Sequence, residues 1–142
     1  MSINEVVAVS AVRTAVGDFG GSLKNHPPAD LAALVIADAV KRSGLTSKDI
    51  QHCVIGSVVH TEAEDMYMAR VAALRAGLPK ETPSLTVNRL CGSGLQAIVT
   101  AAQQIQLGYC EAAVAGGAES MSRAGYLASG ARFGLRMGDG KL

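Results

Sequence analysis

Residues 85–106 read LTVNRLCGSGLQAIVTAAQQIQ, and this stretch predicts a short strand, a tight turn and a helix in succession. Leu85 and Val87 supply the apolar residues of the strand. The helix has an apolar residue at every third or fourth position, at Leu95, Ile98, Ala102 and Ile105. The chain therefore changes from strand to helix within the turn that holds Cys91.

The same alternation extends on both sides of this stretch. Apolar runs at Val6–Val9 and His52–Val59 predict two earlier strands that are buried on both faces, and Ala112–Ala115 predicts a fourth strand. Strands that alternate with helices of ten to fifteen residues require right-handed crossovers. The predicted fold class is therefore α/β, with a mostly parallel sheet.

Two further helices separate these strands. One is expected from Asp30 to Ser43, and Gly44 follows it where a left-handed cap is typical. The other follows Thr61 and Glu64, which have the spacing of a capping box, and it stops at Gly77.

Composition argues against several classes of protein. The chain has 142 residues, enough for one domain, of which 49% are hydrophobic and 18% charged. Its net charge is +1 with dispersed Lys and Arg, so neither a nucleic-acid nor a membrane partner is indicated. No apolar run approaches the roughly 18 residues of a spanning helix, and polar Met1–Glu5 does not resemble a signal peptide. Cys53, Cys91 and Cys110 lack metal-type spacing, so no metal and a reducing, cytoplasmic location are expected.

Cys91 is the candidate catalytic residue. It should lie at the carboxyl end of a strand and the amino end of a helix, on the edge where open parallel sheets bind ligands. Unpaired N–H groups there favour a thiolate and could stabilise an oxyanion on a thioester carbonyl. Gly92 and Gly94 would let a ligand or a second backbone come close. Since a cysteine in a hydrophobic chain is often a buried apolar residue, spacing alone leaves both interpretations open.

The residues around Cys91 carry a family resemblance. Val87–Ala97 is similar to the active-cysteine signature of the thiolases. Further matches follow the family order, with Val12–Ala15, Gly17 and Phe19–Gly21 near the start and Gly116–Ser122 after the fourth strand. The resemblance covers essentially the whole chain and is strongest to biosynthetic and broad-range β-ketothiolases. The ketoacyl synthase group shares the fold but has different flanking motifs.

This resemblance implies a particular architecture. Thiolases have two βαβαβαββ halves packed as an αβαβα sandwich, with a loop domain inserted in the first half. Residues 1–120 are accordingly predicted to be the amino-terminal α/β core, half of that sandwich. Residues 121–142 are predicted to be the incomplete start of the inserted loop domain.

The resemblance also implies an activity in fatty acid metabolism. The Cys91 thiolate would take the acyl group of an acyl-CoA and release CoA. A second acetyl-CoA, deprotonated at its methyl carbon, would then give a 3-ketoacyl-CoA, and the degradative direction reverses these steps. The backbone N–H of Cys91 would form half of the oxyanion site. CoA thioesters are thus expected as substrates, with no permanently bound cofactor.

Other parts of the family's machinery do not occur in this sequence. The Gly-His-Pro histidine and the Cys-x-Gly cysteine belong to the carboxyl-terminal half of thiolases, so this chain alone is not expected to turn over. A homodimer or homotetramer, with Leu85–Arg89 near a two-fold axis, and a complementary carboxyl-terminal chain are the expected partners. A non-catalytic thiolase-fold fragment or assembly subunit remains the alternative. A redox-sensing domain is also conceivable, although no resolving cysteine is evident.

The remaining polar and sulfur-bearing residues are given structural roles. His60 is interpreted as a pocket-rim or helix-entry residue, and Cys53 as a core residue. Cys110 is expected to be semi-exposed. The acidic group of Glu62, Glu64 and Asp65 is interpreted as a solvated helix start, and Met66, Tyr67 and Met68 as packing or pocket-shaping residues.

Overall fold

The computed structural model describes residues 5–135 and residue 137. These residues form three helices and three strands in alternation: α1 Pro28–Ser43, β1 His52–Gly56, α2 Met68–Arg75, β2 Ser84–Val87, α3 Ser93–Gln106 and β3 Ala113–Gly117. Short 3-10 helices lie at Ser47–Asp49, Ala63–Tyr67, Met121–Arg123 and Ser129–Phe133. The predicted α/β fold class is confirmed.

The sheet has the strand order β2-β1-β3, and both pairings are parallel. At its carboxyl end, Gly56 of β1 pairs with Val87 of β2 on one side and Gly117 of β3 on the other. All three strands therefore point towards the same edge, and α3 begins just beyond it.

The helices cover both faces of the sheet, so the central strand β1 is buried on both sides. Cys53 and Ile55 belong to a core with α1 and α2, whereas Val54 packs against Ala97 and Ala101 of α3. Small residues on α2 and α3 bring the helices close to the strands. This is the packing expected of a parallel sheet between helix layers.

The prediction of a strand at Val6–Val9 is wrong for the described residues. Residues 5–10 form no strand, and Val7 and Val9 are exposed. An apolar run becomes a strand only where a neighbour accepts its backbone hydrogen bonds. In the described sheet, β2 and β3 are the edge strands and neither pairs with this run.

The loop between β1 and α2 also differs from prediction. Strand β1 ends at Gly56 instead of Val59, because the Glu119 carboxylate accepts the N–H groups of Val58 and Val59, both at 3.0 Å. The helix after it begins as a 3-10 turn, and α2 proper starts only at Met68.

The helix ends predicted at Gly44 and Gly77 are confirmed, and a third glycine ends α3 in the same way. Gly44, Gly77 and Gly108 follow α1, α2 and α3 with φ values of 80°, 82° and 76°. Only glycine adopts this left-handed conformation without steric cost, so each position ends its helix cleanly.

The chain after β3 is tied to the rest of the structure by polar contacts as far as Arg123. Gly20 N–H donates to Ser122 Oγ at 2.8 Å, and Arg123 pairs with Glu62 at 3.1 Å. Beyond these residues, large side chains such as Tyr126 are exposed. The assignment of residues 121–142 to a separate loop domain remains a prediction, and residues 136 and 138–142 of it lie outside the described residues.

Three glycines hold the start of α3 against the sheet. A Cβ on Gly56 would lie 2.5 Å from Ser93 C and 2.8 Å from Gly94 N. A Cβ on Gly117 would lie 3.2 Å from Gly94 Cα. Backbone therefore meets backbone at the carboxyl end of β1 and β3, and this contact sets where the first turn of α3 lies.

We expect Gly56→Ala to destabilise the protein by about 1–3 kcal/mol, since the added methyl group must push the first turn of α3 away. The measurement is the free energy of unfolding in denaturant. Gly116→Ala in the neighbouring strand is the matched control, because a Cβ there meets nothing within 4 Å. Equal stability of the two variants would contradict this account of the contact.

Candidate active site

Cys91 lies on the turn of residues 88–92, which joins the end of β2 to the first residue of α3. The residue is exposed and its thiol is free. The predicted placement at the carboxyl edge of the sheet and the amino end of a helix is confirmed. The alternative interpretation of Cys91 as a buried apolar residue is wrong.

Side chains and main chain of the turn hydrogen-bond to one another. Ser93 is almost fully buried, and its Oγ accepts the N–H of Arg89 at 2.8 Å while donating to the carbonyl of Leu90 at 2.6 Å. Asn88 Oδ1 accepts the N–H of Leu90 at 3.0 Å. Gly92 N–H donates to Arg89 O at 3.1 Å. The amide of Cys91 makes none of these bonds.

Leu90, the residue before Cys91, has a strained backbone. Its φ is +50°, and it is the one described residue other than glycine with a positive φ. This conformation costs a non-glycine residue about 1–2 kcal/mol. Because the Leu90 side chain is 69% exposed, its own packing does not offset the cost. The hydrogen bonds from Asn88 and Ser93 hold the strained residue in place.

Glycines near the cysteine have unequal roles. Gly94 allows the backbone of β3 to come close, as predicted, since its neighbour across the contact is Gly117. Gly92 has ordinary φ and ψ values of −88° and 4°, and a Cβ there would meet only Arg89 O at 3.5 Å. The space that a side chain at position 92 would occupy is therefore open.

The acidic group at the start of the 3-10 turn is only partly solvated. Glu62 and Glu64 are exposed and pair with Arg123 and Arg75, but Asp65 is fully buried. Its Oδ2 accepts the N–H and the hydroxyl of Thr61, both at 2.7 Å. The prediction of a solvated Asp65 is wrong, because the carboxylate folds inward to fix the loop. The capping partner of Thr61 is accordingly Asp65 instead of Glu64.

The other cysteines are shielded from solvent. Cys53 is fully buried as predicted, its Sγ lies 3.9 Å from Ala69 O, and burial raises the pKa of its thiol to about 12. Cys110 is 6% exposed, and burial raises the pKa of its thiol too. The expectation that Cys110 is semi-exposed is wrong, because this residue after α3 packs inward.

Histidines and methionines occupy varied positions. His60 and His26 are exposed, whereas His52 is half-buried. Met68 is buried in the core, and Met66 and Tyr67 beside it are exposed. No hydrogen bond among the described residues joins a histidine to Cys91.

The described residues contain neither a candidate metal site nor a candidate membrane-spanning helix. No group of three or more His, Cys, Asp or Glu side chains within residues 5–135 and 137 could hold a metal ion. In the same part of the chain, no helix is both long and apolar enough to cross a bilayer.

Sequence reasoning missed three features of the site. The hydrogen bonds of Ser93 to the backbone of the turn were only weakly indicated by the sequence, since a serine at a helix start commonly bonds to nearby backbone. The bond from Asn88 to the second residue after it is the pattern of an Asx-turn, which the sequence also offered. The positive φ of Leu90 had no signal, because leucine does not favour that conformation.

The fold and the site define an α/β protein that presents an exposed cysteine on a strand-to-helix turn. Residues 6–142 match the family described as the thiolase N-terminal domain. The chain belongs to the thiolase family.

Known proteins similar to this chain include both curated sequences and solved structures. It is 59% identical over 138 residues to the beta-ketothiolase BktB of Cupriavidus necator, covering 97% of this chain and 35% of that protein. The crystal structure of the acetyl-CoA acetyltransferase of Bacillus anthracis matches with a TM-score of 0.92 and 42% identity, covering 98% of this chain and 35% of that one.

A human relative has been crystallised with a ligand. The structure of human mitochondrial 3-ketoacyl-CoA thiolase in complex with CoA matches with a TM-score of 0.87 and 40% identity, covering 92% of this chain and 33% of that one. The chain thus spans about a third of the length of these relatives. The thiolase-like fold predicted from the sequence is confirmed.

We expect a thiol reagent to modify Cys91 alone in the folded protein at neutral pH, and to modify Cys53 and Cys110 only after unfolding. Raising the pH to near 9.0, the ordinary pKa of a cysteine thiol, should leave Cys53 unmodified, because its pKa of about 12 keeps it protonated. Mass spectrometry of the labelled peptides is the measurement. Labelling of Cys53 in folded protein would contradict the burial described above.

Proposed function

We propose that this chain supplies the nucleophile of a thiolase, an acyltransferase that moves an acyl group between CoA thioesters and makes or cleaves 3-ketoacyl-CoA. One observation carries the proposal: Cys91 is exposed on a strained turn directly before α3, with its thiol free. Cys53 and Cys110 are buried, so Cys91 is the cysteine of this chain that a large thioester can reach.

The proposed first step is attack of the Cys91 thiolate on the carbonyl carbon of an acyl-CoA. The new C–S bond gives a tetrahedral intermediate whose oxygen carries the negative charge. The intermediate collapses when the bond to the sulfur of CoA breaks, and CoA leaves as a thiolate that takes up a proton. The amide of Cys91, which is not used within the turn, is available to that oxygen.

The second step transfers the acyl group onward. A second acetyl-CoA loses a proton from its methyl carbon to a base, and the carbanion attacks the carbonyl carbon of the acyl-cysteine. A C–C bond forms, the C–S bond to Cys91 breaks, and the products are a 3-ketoacyl-CoA and the regenerated Cys91 thiolate. Among the described residues, no side chain forms a hydrogen bond with the free thiol of Cys91. We therefore assign the base to protein outside this chain's described residues, and we expect the chain alone to be incompetent for turnover.

CoA as the ligand is supported by the relatives. The human thiolase structure contains CoA, and the names of the similar proteins refer to acetyl-CoA and 3-ketoacyl-CoA. We carry this ligand class to the present chain as a substrate, with no permanently bound cofactor.

Two exposed apolar surfaces of this chain favour binding to further protein. On α3, Leu95, Ile98 and Val99 are 67%, 52% and 41% exposed. On the edge strand β2, Leu85 is exposed as well. Such surfaces favour association, so we propose a homodimer or homotetramer in which β2 lies near the two-fold axis, and a carboxyl-terminal half that covers α3 in the same or a complementary chain.

The three unpaired cysteines fit a reducing compartment, and we propose a cytoplasmic location. The similar proteins from cattle and humans are named as mitochondrial, and that location is stated for those two proteins.

We expect incubation with acetyl-CoA to add one acetyl group to Cys91, because a free thiolate displaces CoA from the thioester. Intact-mass spectrometry followed by peptide mapping is the measurement. The adduct should vanish in Cys91→Ser and persist in Cys110→Ser, which removes a buried thiol. An adduct that maps elsewhere, or none on folded protein that includes its partner chains, would favour the non-catalytic assembly subunit.

Leu85→Arg should weaken the oligomer, since it places a charge on the exposed face of the edge strand β2. Sedimentation over a range of concentrations would show a shift towards smaller species. Leu34→Arg on α1 is the control, as this leucine is also exposed but lies on a helix away from the sheet edge. An unchanged assembly for Leu85→Arg would rule out pairing through β2.

A further inference from the structure

Ser93 holds the peptide group that lies immediately before the nucleophile. Its hydroxyl donates to the carbonyl of Leu90 at 2.6 Å, and its main-chain N–H donates to the same carbonyl at 3.0 Å. The Ser93 hydroxyl also accepts the N–H of Arg89 at 2.8 Å. One residue therefore provides both donors to the Leu90 carbonyl.

This carbonyl shares a peptide plane with the amide of Cys91. A trans peptide is flat, and its C=O and N–H point in opposite directions. No peptide bond between described residues is cis. Fixing the Leu90 carbonyl therefore fixes the direction of the Cys91 N–H.

Ser93 is itself firmly held. It is 4% exposed, and its main chain touches Gly56 so closely that a Cβ there would lie 2.6 Å from Ser93 O. Asn88 supports the preceding peptide unit, that between Arg89 and Leu90, because its Oδ1 accepts the N–H of Leu90. The strained Leu90 is thus fixed at both its amide and its carbonyl.

We propose that Ser93 is a positioning residue that aims the Cys91 amide at the thioester oxygen as that oxygen becomes an oxyanion. This inference rests on the proposed function. Ser93 would not touch the substrate. It would act through the Leu90 carbonyl, and its effect should appear only in reactions that form an oxyanion.

Two reactions of Cys91 separate this role from a general structural one. Attack on acetyl-CoA forms a tetrahedral oxyanion. Alkylation by iodoacetamide forms the C–S bond as iodide leaves, and no oxyanion arises. Comparing the two rates on the same protein therefore isolates the part of catalysis that depends on the Cys91 amide.

The experiment uses the whole protein that contains this chain, with its partner chains. Ser93→Ala should slow acetylation of Cys91 about tenfold to a hundredfold, less than the hundredfold or more typical of losing an oxyanion donor outright. Alkylation of the same thiol should change less than about twofold, by the same reasoning. Ser93→Thr keeps the hydroxyl and should restore most of the acetylation rate.

Asn88→Ala provides a second test at an exposed position. It removes the acceptor for the Leu90 N–H and should slow acetylation without slowing alkylation. If Ser93→Ala does not fold, the acetylation and alkylation rates of Asn88→Ala test the proposal instead.

Normal acetylation in Ser93→Ala, or an equal fall in both rates, would overturn the proposal. Wild-type protein that is alkylated but never acetylated would instead refute the proposed function, and the inference with it.

Discussion

The contact between the end of β1 and the start of α3 is the constraint on which the rest of the site depends. Gly56 lies directly against the main chain of Ser93 and Gly94, and Gly117 completes the contact from β3. No side chain separates the strands from the helix at this point. The turn that joins the end of β2 to the start of α3 must therefore be only a few residues long, and Cys91 lies in this short turn.

This short connection explains the strain at Leu90. A longer turn could reach α3 with ordinary φ values, whereas the observed one places a leucine at +50°. Hydrogen bonds with Asn88 and Ser93 offset the conformational free energy of this positive φ. Burial does not offset it, since the leucine side chain is exposed. Strain held by neighbouring polar groups is common where a reactive residue must project from the backbone. Here the strained turn keeps Cys91 exposed, outside the core that encloses Cys53.

The sequence predicted the features that depend on local pattern. The helix ends at Gly44 and Gly77, the parallel strands and the place of Cys91 follow from residues near one another in the chain. Features that depend on distant partners were not predictable. Val6–Val9 has the apolar content of a strand but no described strand to pair with, and Asp65 is buried because of a loop path that composition does not encode.

Helix α3 is apolar on two opposite faces, which differ in the size of their side chains. Its inner face is made of small residues, Ser93, Ala97 and Ala101, which let the helix lie close to the sheet. Its outer face is larger and apolar, with Leu95 and Ile98 exposed. A helix that is apolar on opposite sides belongs in the interior of a larger body. We therefore expect α3, which begins just after Cys91, to be covered by further protein, and we expect that protein to carry the groups that complete the proposed chemistry.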